Sequence, residues 1–256
     1  MGRIDRTGEE RLNNFGSKIV ITGYRGARDI DVYFSEYNWT FEHNTYQHFK
    51  RGNIKCPYEP RYHGYGYLGE GKYKMSENGK HTDEFRIWRH MLMRCYDPKY
   101  QEKEPAYKGC KVEDYLLNFQ NMGEWIKNNY YEVSGERMCL DKDILCKGNK
   151  IYSRDKCIFV PQRINNLFTK RDNRRGDCPI GVTPRSSGNY LVQCSNGYGK
   201  EIYLGTYSTE EAFRVYKKYK EKVIKEVIDS YEGVIPEPFY SRLKEAMYNY
   251  EVEIDD

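Results

Sequence analysis

Apolar and polar residues alternate over 29–34, where Ile30, Val32 and Phe34 are separated by Asp31 and Tyr33. A period of two turns successive side chains to opposite faces, so this run predicts a half-buried strand. The β-branched run 18–22 predicts a second strand, with Gly23 and Gly26 in the turn region between the two. From Tyr62 to Gly71 the chain is dense in glycine and tyrosine, a composition that excludes helix and leads into a linker over 73–83. The tyrosine rings are expected to pack between modules in preference to stacking on bases. The period then changes. Phe85, Trp88, Leu92 and Cys95 follow helical spacing, with Arg86, Arg89 and Arg94 between them, and predict an amphipathic helix over 83–96 that ends near Pro98. A second helix is expected over 112–128, where Leu116, Phe119 and Trp125 supply core side chains alongside Trp88.

Residues 135–167 read as strand, polar glycine-containing loop, strand and short helix. From Ile180 the pattern is three strands, 180–184, 189–194 and 201–206, separated by turns at Ser187-Gly188 and Asn196-Gly197. A helix then begins at Ser208-Thr209-Glu210-Glu211, a capping-box sequence with Ser208 as N-cap and Glu211 three residues on. Ala212, Tyr216, Tyr219, Val223, Val227 and Tyr231 form its apolar face, and Lys217, Lys218, Lys220 and Lys222 are mostly turned away. A last helix is expected over 238–250. The fold class is therefore α+β. Four segments are expected: a β-rich N-terminal module (1–75), a central strand-loop-strand-helix module (83–175), a three-stranded sheet with a helix (176–230), and an acidic helical tail (231–256).

Charge is distributed unevenly along the 256 residues. The overall balance is only +4, yet 161–225 carries 13 basic residues against six acidic ones, and 226–256 carries nine acidic residues against Arg242 and Lys244. A basic block of this size is an electrostatic footprint for a phosphate backbone. The acidic tail is expected to fold back on the chain's own basic face, although it could also meet a protein partner. With 38% hydrophobic and 31% charged residues, and no apolar run near the roughly 18–20 residues of a bilayer span, a membrane protein is excluded. Residues 1–7 lack the apolar core of a secretory signal, so the expected location is the cytosol. The eight cysteines include no CxxC pair, which argues for reduced thiols and against a zinc site.

Gly181-Val182-Thr183-Pro184-Arg185, the Ser187-Gly188 turn, Leu204-Gly205-Thr206-Tyr207 and Thr209-Glu210-Glu211-Ala212 together resemble the AP2 DNA-binding domain over residues 179–222. The resemblance implies a three-stranded sheet laid in the major groove of double-stranded DNA, with Arg185, Asn189, Tyr190, Gln193 and Lys200 as contacts. Arg174 and Arg175, in the basic run before it, are further candidates for the backbone.

The central segment resembles the HNH endonucleases of phages, in particular those found beside AP2-type domains. The residues that carry the likeness are Leu140-Asp141-Lys142-Asp143, Gly148-Asn149, Tyr152-Ser153, 157–160 and the helix start 161–166, with a lead-in over 88–98. In that family one divalent cation stabilises the scissile phosphate while a nearby base activates water. By resemblance Asp141 and Asn165 stand at the metal-ligand positions, Asn149 restrains the loop, and Asp143 is a candidate second carboxylate. A carboxylate and an amide oxygen suit Mg²⁺ or Mn²⁺. Lys142 occupies the position of the family's general-base histidine, and a lysine is ordinarily protonated at neutral pH. Lys156 likewise replaces the family's strand asparagine. Two readings therefore stand: a phage-type, Mg²⁺-dependent HNH endonuclease of the host-cell cytosol, whose AP2-like module selects the site, and an inactive scaffold that acts as a DNA-binding regulator or as an inhibitor of a host defence factor. In a third, the N-terminal module binds a protein partner.

Overall fold

The alternation over 29–34 becomes β3 (Asp29–Phe34), the third strand of an antiparallel meander with β1 (Glu10–Leu12), β2 (Lys18–Gly26) and β4 (Trp39–Asn44). This is a computed structural model, which describes residues 4–169 and 178–254. Ile30, Val32 and Phe34 are fully buried with Ile19 and Ile21 of β2, and α1 (Tyr46–Arg51) lays Phe49 over the same face. Thr45 caps α1 by accepting from the His48 N–H. Buried Asn13 uses its whole amide to fix the β1–β2 turn: Oδ1 accepts from Phe15 and Ser17, and Nδ2 donates to Ile54 O and Glu59 Oε1.

The chain divides into two compact units, Met1–Ile126 and Lys127–Asp256. In the first, the linker expected over 73–83 is part of the fold. It contains the hairpin β5 (Ser76–Glu77) and β6 (Lys80–His81), and Tyr73 is held by an O–H bond to Glu124. α2 (Asp83–Tyr96) matches the helical spacing, with Thr82 as its cap. Trp88 is fully buried on it, surrounded by Tyr62, Phe85 and Phe119, and donates Nε1–H to Leu116 O at 2.9 Å. α3 (Pro98–Lys103) follows at once because Asp97 ends α2 and caps α3. β7 (Lys111–Val112) comes next.

The helix expected over 112–128 is broken at Asn118 into α4 (Asp114–Leu117) and α5 (Phe119–Asn129). Tyr67 causes the break. Its N–H donates to Leu117 O and its carbonyl accepts from the Phe119 N–H, so the tyrosine-rich stretch docks on backbone groups that a continuous helix would have used. Close approach there requires Gly69 (φ +66°), where a Cβ would lie 2.3 Å from Asn118 Oδ1.

In the second unit β8 (Met138–Asp141) pairs antiparallel with β10 (Ile158–Pro161), β9 (Ile151–Tyr152) lies in the connection, and α6 (Gln162–Leu167) follows. β11 (Val182–Pro184), β12 (Tyr190–Ser195) and β13 (Glu201–Tyr207) form a second antiparallel sheet in that order. α7 (Thr209–Asp229) covers one face of it. Val182, Val192 and Cys194 are buried there with Ala212 and Tyr216, and Val223, Ile224, Val227 and Ile228 continue the apolar face. Ser208 is the N-cap, but its hydroxyl makes no cap bond. The expected capping box is not formed, and the first turn closes through Ala212 N–H to Ser208 O. α8 (Phe239–Tyr248) packs on α7, and the tail returns along α7. Buried Val252 accepts from Lys217 Nζ at 2.9 Å and donates its N–H to Glu221 at 3.0 Å.

The fold is thus mixed α and β with several small sheets. Among the described residues no helix is long and apolar enough to cross a membrane.

All three tryptophans lie in the first unit, so their fluorescence reports on it selectively. Trp88→Ala removes a fully buried indole and its hydrogen bond and is expected to destabilise this unit by about 3–5 kcal/mol, measured as a lower urea midpoint in tryptophan fluorescence. A loss below about 1 kcal/mol would contradict the packing.

Candidate functional site

Asp141 ends β8 opposite Ile158, where the chain leaves the sheet for the loop 142–150. Its Oδ1 accepts from the backbone N–H groups of Asp143 (2.8 Å) and Ile144 (2.7 Å), which turns the loop back on itself. Asn149 closes that loop. Its Nδ2 donates to Lys142 O and Ile151 O at 2.6 and 2.7 Å, and its Oδ1 accepts from the Ile151 N–H. Both amide ends are used, and the residue is buried.

Lys142 is only 6% exposed, and its ammonium contacts Asp143 Oδ2 at 2.9 Å. The carboxylate contact favours the charged ammonium and burial opposes it, so the Asp143 partner is what compensates a cation at this depth. Burial, and after it the adjacent Asp143 carboxyl, push the Asp141 carboxyl up to about 6. The two backbone N–H groups oppose the shift in part.

α6 begins beside β8: the Gln162 N–H donates to Arg137 O, and Cys139 Sγ donates to Gln162 Oε1. Asn165 stands one turn into this helix, and its side-chain amide makes no hydrogen bond among the described residues. Asp141, Asp143 and Asn165 therefore belong to one strand-loop-strand-helix unit, although no hydrogen bond joins Asp141 to Asn165. Asp141 Oδ2, beside the Asp143 carboxyl, and the Asn165 amide oxygen are hard donors of the kind Mg²⁺ or Mn²⁺ takes. Asp143 has a second oxygen beside the one held by Lys142.

On β12 the residues alternate between the α7 side and the open side of the sheet. Val192 and Cys194 face the helix, and half-buried Tyr190 shares their parity; Gln193 is exposed on the other side. Gln193 pairs with Tyr203 across β13, and Tyr203 is 59% exposed with its hydroxyl bonded to Thr206. Thr183 extends the same open face on β11. Arg185 and Asn189 are exposed at the β11–β12 turn, where the Arg185 N–H donates to Asn189 O. Lys200 is exposed at the β12–β13 turn, anchored through its N–H to Asn196 Oδ1. The open face thus collects Thr183, Gln193 and Tyr203 between two turns that carry Arg185 and Lys200. Strand parity over 201–206 could have found Tyr203, since it alternates with Leu204 and Ile202. Arg174 and Arg175 lie outside the described residues.

A different cluster was not visible in the sequence. Asp29, Asp31 and His43 bring a set of ligand atoms close enough together to hold a metal ion. Arg25 is already there. Its guanidinium donates to both oxygens of Asp29 and both of Asp31 at 2.6–2.7 Å, and it holds the Asp29 carboxyl down at about 2. With every carboxylate oxygen paired to a cation, this cluster is an ion-pair network that braces the β2–β3 hairpin.

No protein-family model, curated protein or solved structure matches the chain.

The Asp141 shift has a stability consequence. A carboxyl raised from 3.8 to about 6 on folding favours the folded state at low pH; that contribution is complete below about pH 4 and is lost as pH rises through about 6. Asp141→Asn is neutral at every pH and can still accept the two N–H bonds. The variant is expected to be more stable than the parent above about pH 6, by up to about 3 kcal/mol, and equal to it below about pH 4. Urea denaturation across that range measures the difference, and a pH-independent gap would contradict the burial of this group.

Proposed function

We propose that the chain is a DNA-binding protein of the HNH-endonuclease kind that cleaves phosphodiester bonds with Mg²⁺ or Mn²⁺ in the host-cell cytosol. In this reading 83–175 contains the ββα-metal module, 176–230 is an AP2-like domain that selects the site on double-stranded DNA, and 1–75 and 231–256 flank them. The observation that carries it is the β8–loop–β10–α6 unit, with Asp141 at the strand end, Asn149 tying the loop, and an uncommitted Asn165 amide on the helix. Asp141, Asp143 and Asn165 would hold the cation. When bound, it supplies positive charge to the scissile phosphate and the leaving oxygen. Asn149 keeps the loop rigid so that the carboxylates need not reorganise. The Lys142 ammonium adds positive charge beside them. On the AP2-like sheet, Arg185 and Lys200 position the phosphate backbone from the two turns, and Gln193 reads a base edge.

One observation favours the second reading, an inactive scaffold acting as a DNA-binding regulator or as an inhibitor of a host factor. The residue in the general-base position is Lys142, buried and ion-paired with Asp143, and a charged ammonium abstracts no proton from water. The tail packs on its own chain, with Val252 buried against α7.

The test is incubation with supercoiled DNA and Mg²⁺, Mn²⁺ or EDTA. Metal-dependent nicking lost in Asp141→Ala, with DNA binding retained, is the expected outcome. Nicking that survives in Asp141→Ala would remove the metal site; a gel shift without nicking would select the inactive scaffold. Arg185→Ala should weaken binding about tenfold and lower the slope of log Kd against log salt by about 1. Unchanged binding would take Arg185 out of the interface.

A further inference from the structure

Arg163 follows Gln162 on α6 and points away from the nuclease-like loop, toward the β12–β13 turn. Its Nε donates to Gly197 O at 2.9 Å. The guanidinium carbon lies 3.7 Å from the centre of the Tyr198 ring and 5.4 Å from that of Tyr231, whose hydroxyl it also approaches while that hydroxyl donates to Glu136. These contacts account for one edge and the faces of the guanidinium. They leave Nη2 buried with no hydrogen-bond partner. A buried cationic N–H without an acceptor is costly, and native structures rarely keep one without a ligand or water to satisfy it.

Arg163 lines a cavity of about 990 Å³ in the second unit. Asn166 of α6 and Lys220 of α7 line it with Arg163, and Glu201 is the acidic residue on its wall. Two cations against one carboxylate give the cavity a net positive charge. The covering side is Tyr198, 61% exposed at the tip of a turn flanked by Gly197 and Gly199, both at positive φ. Its ring lies on the guanidinium like a shutter on a window.

We propose that this cavity is a phosphate-ester site, in which the Arg163 guanidinium takes the phosphate oxygens, Lys220 supplies the second charge, and the Tyr198 ring shields the site until the ligand displaces it. The planar guanidinium matches two oxygens of one phosphate, and Lys220 approaches as a point charge, a division of roles suited to a phosphate ester. The inference stands apart from cleavage at Asp141. The ester could be a free mononucleotide or a phosphodiester of bound DNA.

The two sources are separated by titrating the full chain with dAMP and, in parallel, with a duplex DNA, both against chloride of matched ionic strength. If the site takes free nucleotide, dAMP raises the melting temperature of the parent through mass action. Arg163→Gln abolishes that shift, Lys220→Gln weakens binding about tenfold, and Tyr198→Ala tightens it several-fold because no ring has to be displaced. If the site serves bound DNA, dAMP is without effect, but Arg163→Gln weakens DNA binding about tenfold with a salt slope smaller by about 1, and Tyr198→Ala strengthens it. The opposite signs at Arg163 and Tyr198 separate ligand binding from simple damage to the fold. Should Arg163→Gln not fold, Lys220→Gln and the exposed Tyr198→Ala carry the same test. No response of the parent to dAMP, together with DNA binding unchanged in Lys220→Gln and Tyr198→Ala, would overturn the proposal. A parent that binds dAMP but no DNA would sink the function proposed above and leave this site standing.

Discussion

The second unit is organised by the need to cover α7. Its 21 residues span about 32 Å, whereas the seven residues of β13, the longest strand of the sheet beneath it, reach only about 23 Å. Ala212 and Tyr216 have a sheet to pack on, but the apolar face continues through Val223, Ile224, Val227 and Ile228. Such a face left in water would cost about 25 cal/mol per Å² exposed. α8, α6 and the returning tail supply the missing cover. The β8–β10–α6 portion and the three-stranded sheet of this unit are therefore coupled through one helix, and Tyr231 just beyond its end reaches both Glu136 and Arg163.

Charge at the β8 end is arranged with equal economy. Asp141 builds the loop with one carboxylate oxygen, which accepts two backbone N–H groups, and sets its carboxyl beside that of Asp143. Its raised pKa reflects burial first and the neighbouring Asp143 carboxyl second, while Lys142 pairs with Asp143. The Arg25 cluster in the first unit is the opposite case: one guanidinium donates to both carboxylates, and the Asp29 carboxyl is lowered. Ligand-type residues in proximity thus mean different things according to whether a cation of the chain has already claimed them.

Local periodicity was the legible part of the sequence. The spacing of Phe85, Trp88, Leu92 and Cys95 defines α2 to its ends, and the alternation around Val32 and Val192 defines two buried strand faces. What failed was decided by distant partners. A helix continuous over 112–128 is sound on propensity alone, but Tyr67 takes the backbone groups around Asn118. Residues 73–83 look like a linker because Tyr73 finds its partner, Glu124, only in the folded chain. At the candidate site the resemblance pointed to Asp141, Asn149 and Asn165 as expectations; the structure gives Asn149 its loop-closing bonds. The ion pair that fixes Lys142 and the unpaired nitrogen of Arg163 depend on burial, which no spacing rule reports.

The docking of Tyr67 against Asn118 also bears on the order of events during folding. The two residues are about fifty positions apart, so the chain must close a long loop before α4 and α5 can adopt their final break. Until then the segment 112–128 is free to form the longer helix its own propensity favours, with Leu117 and Phe119 bonded within it. The late arrival of Tyr67 exchanges those local bonds for non-local ones. Non-local pairings of this kind carry a loop-closure cost that local turns do not, so the break at Asn118 rests on the tertiary fold and not on the segment's own propensity.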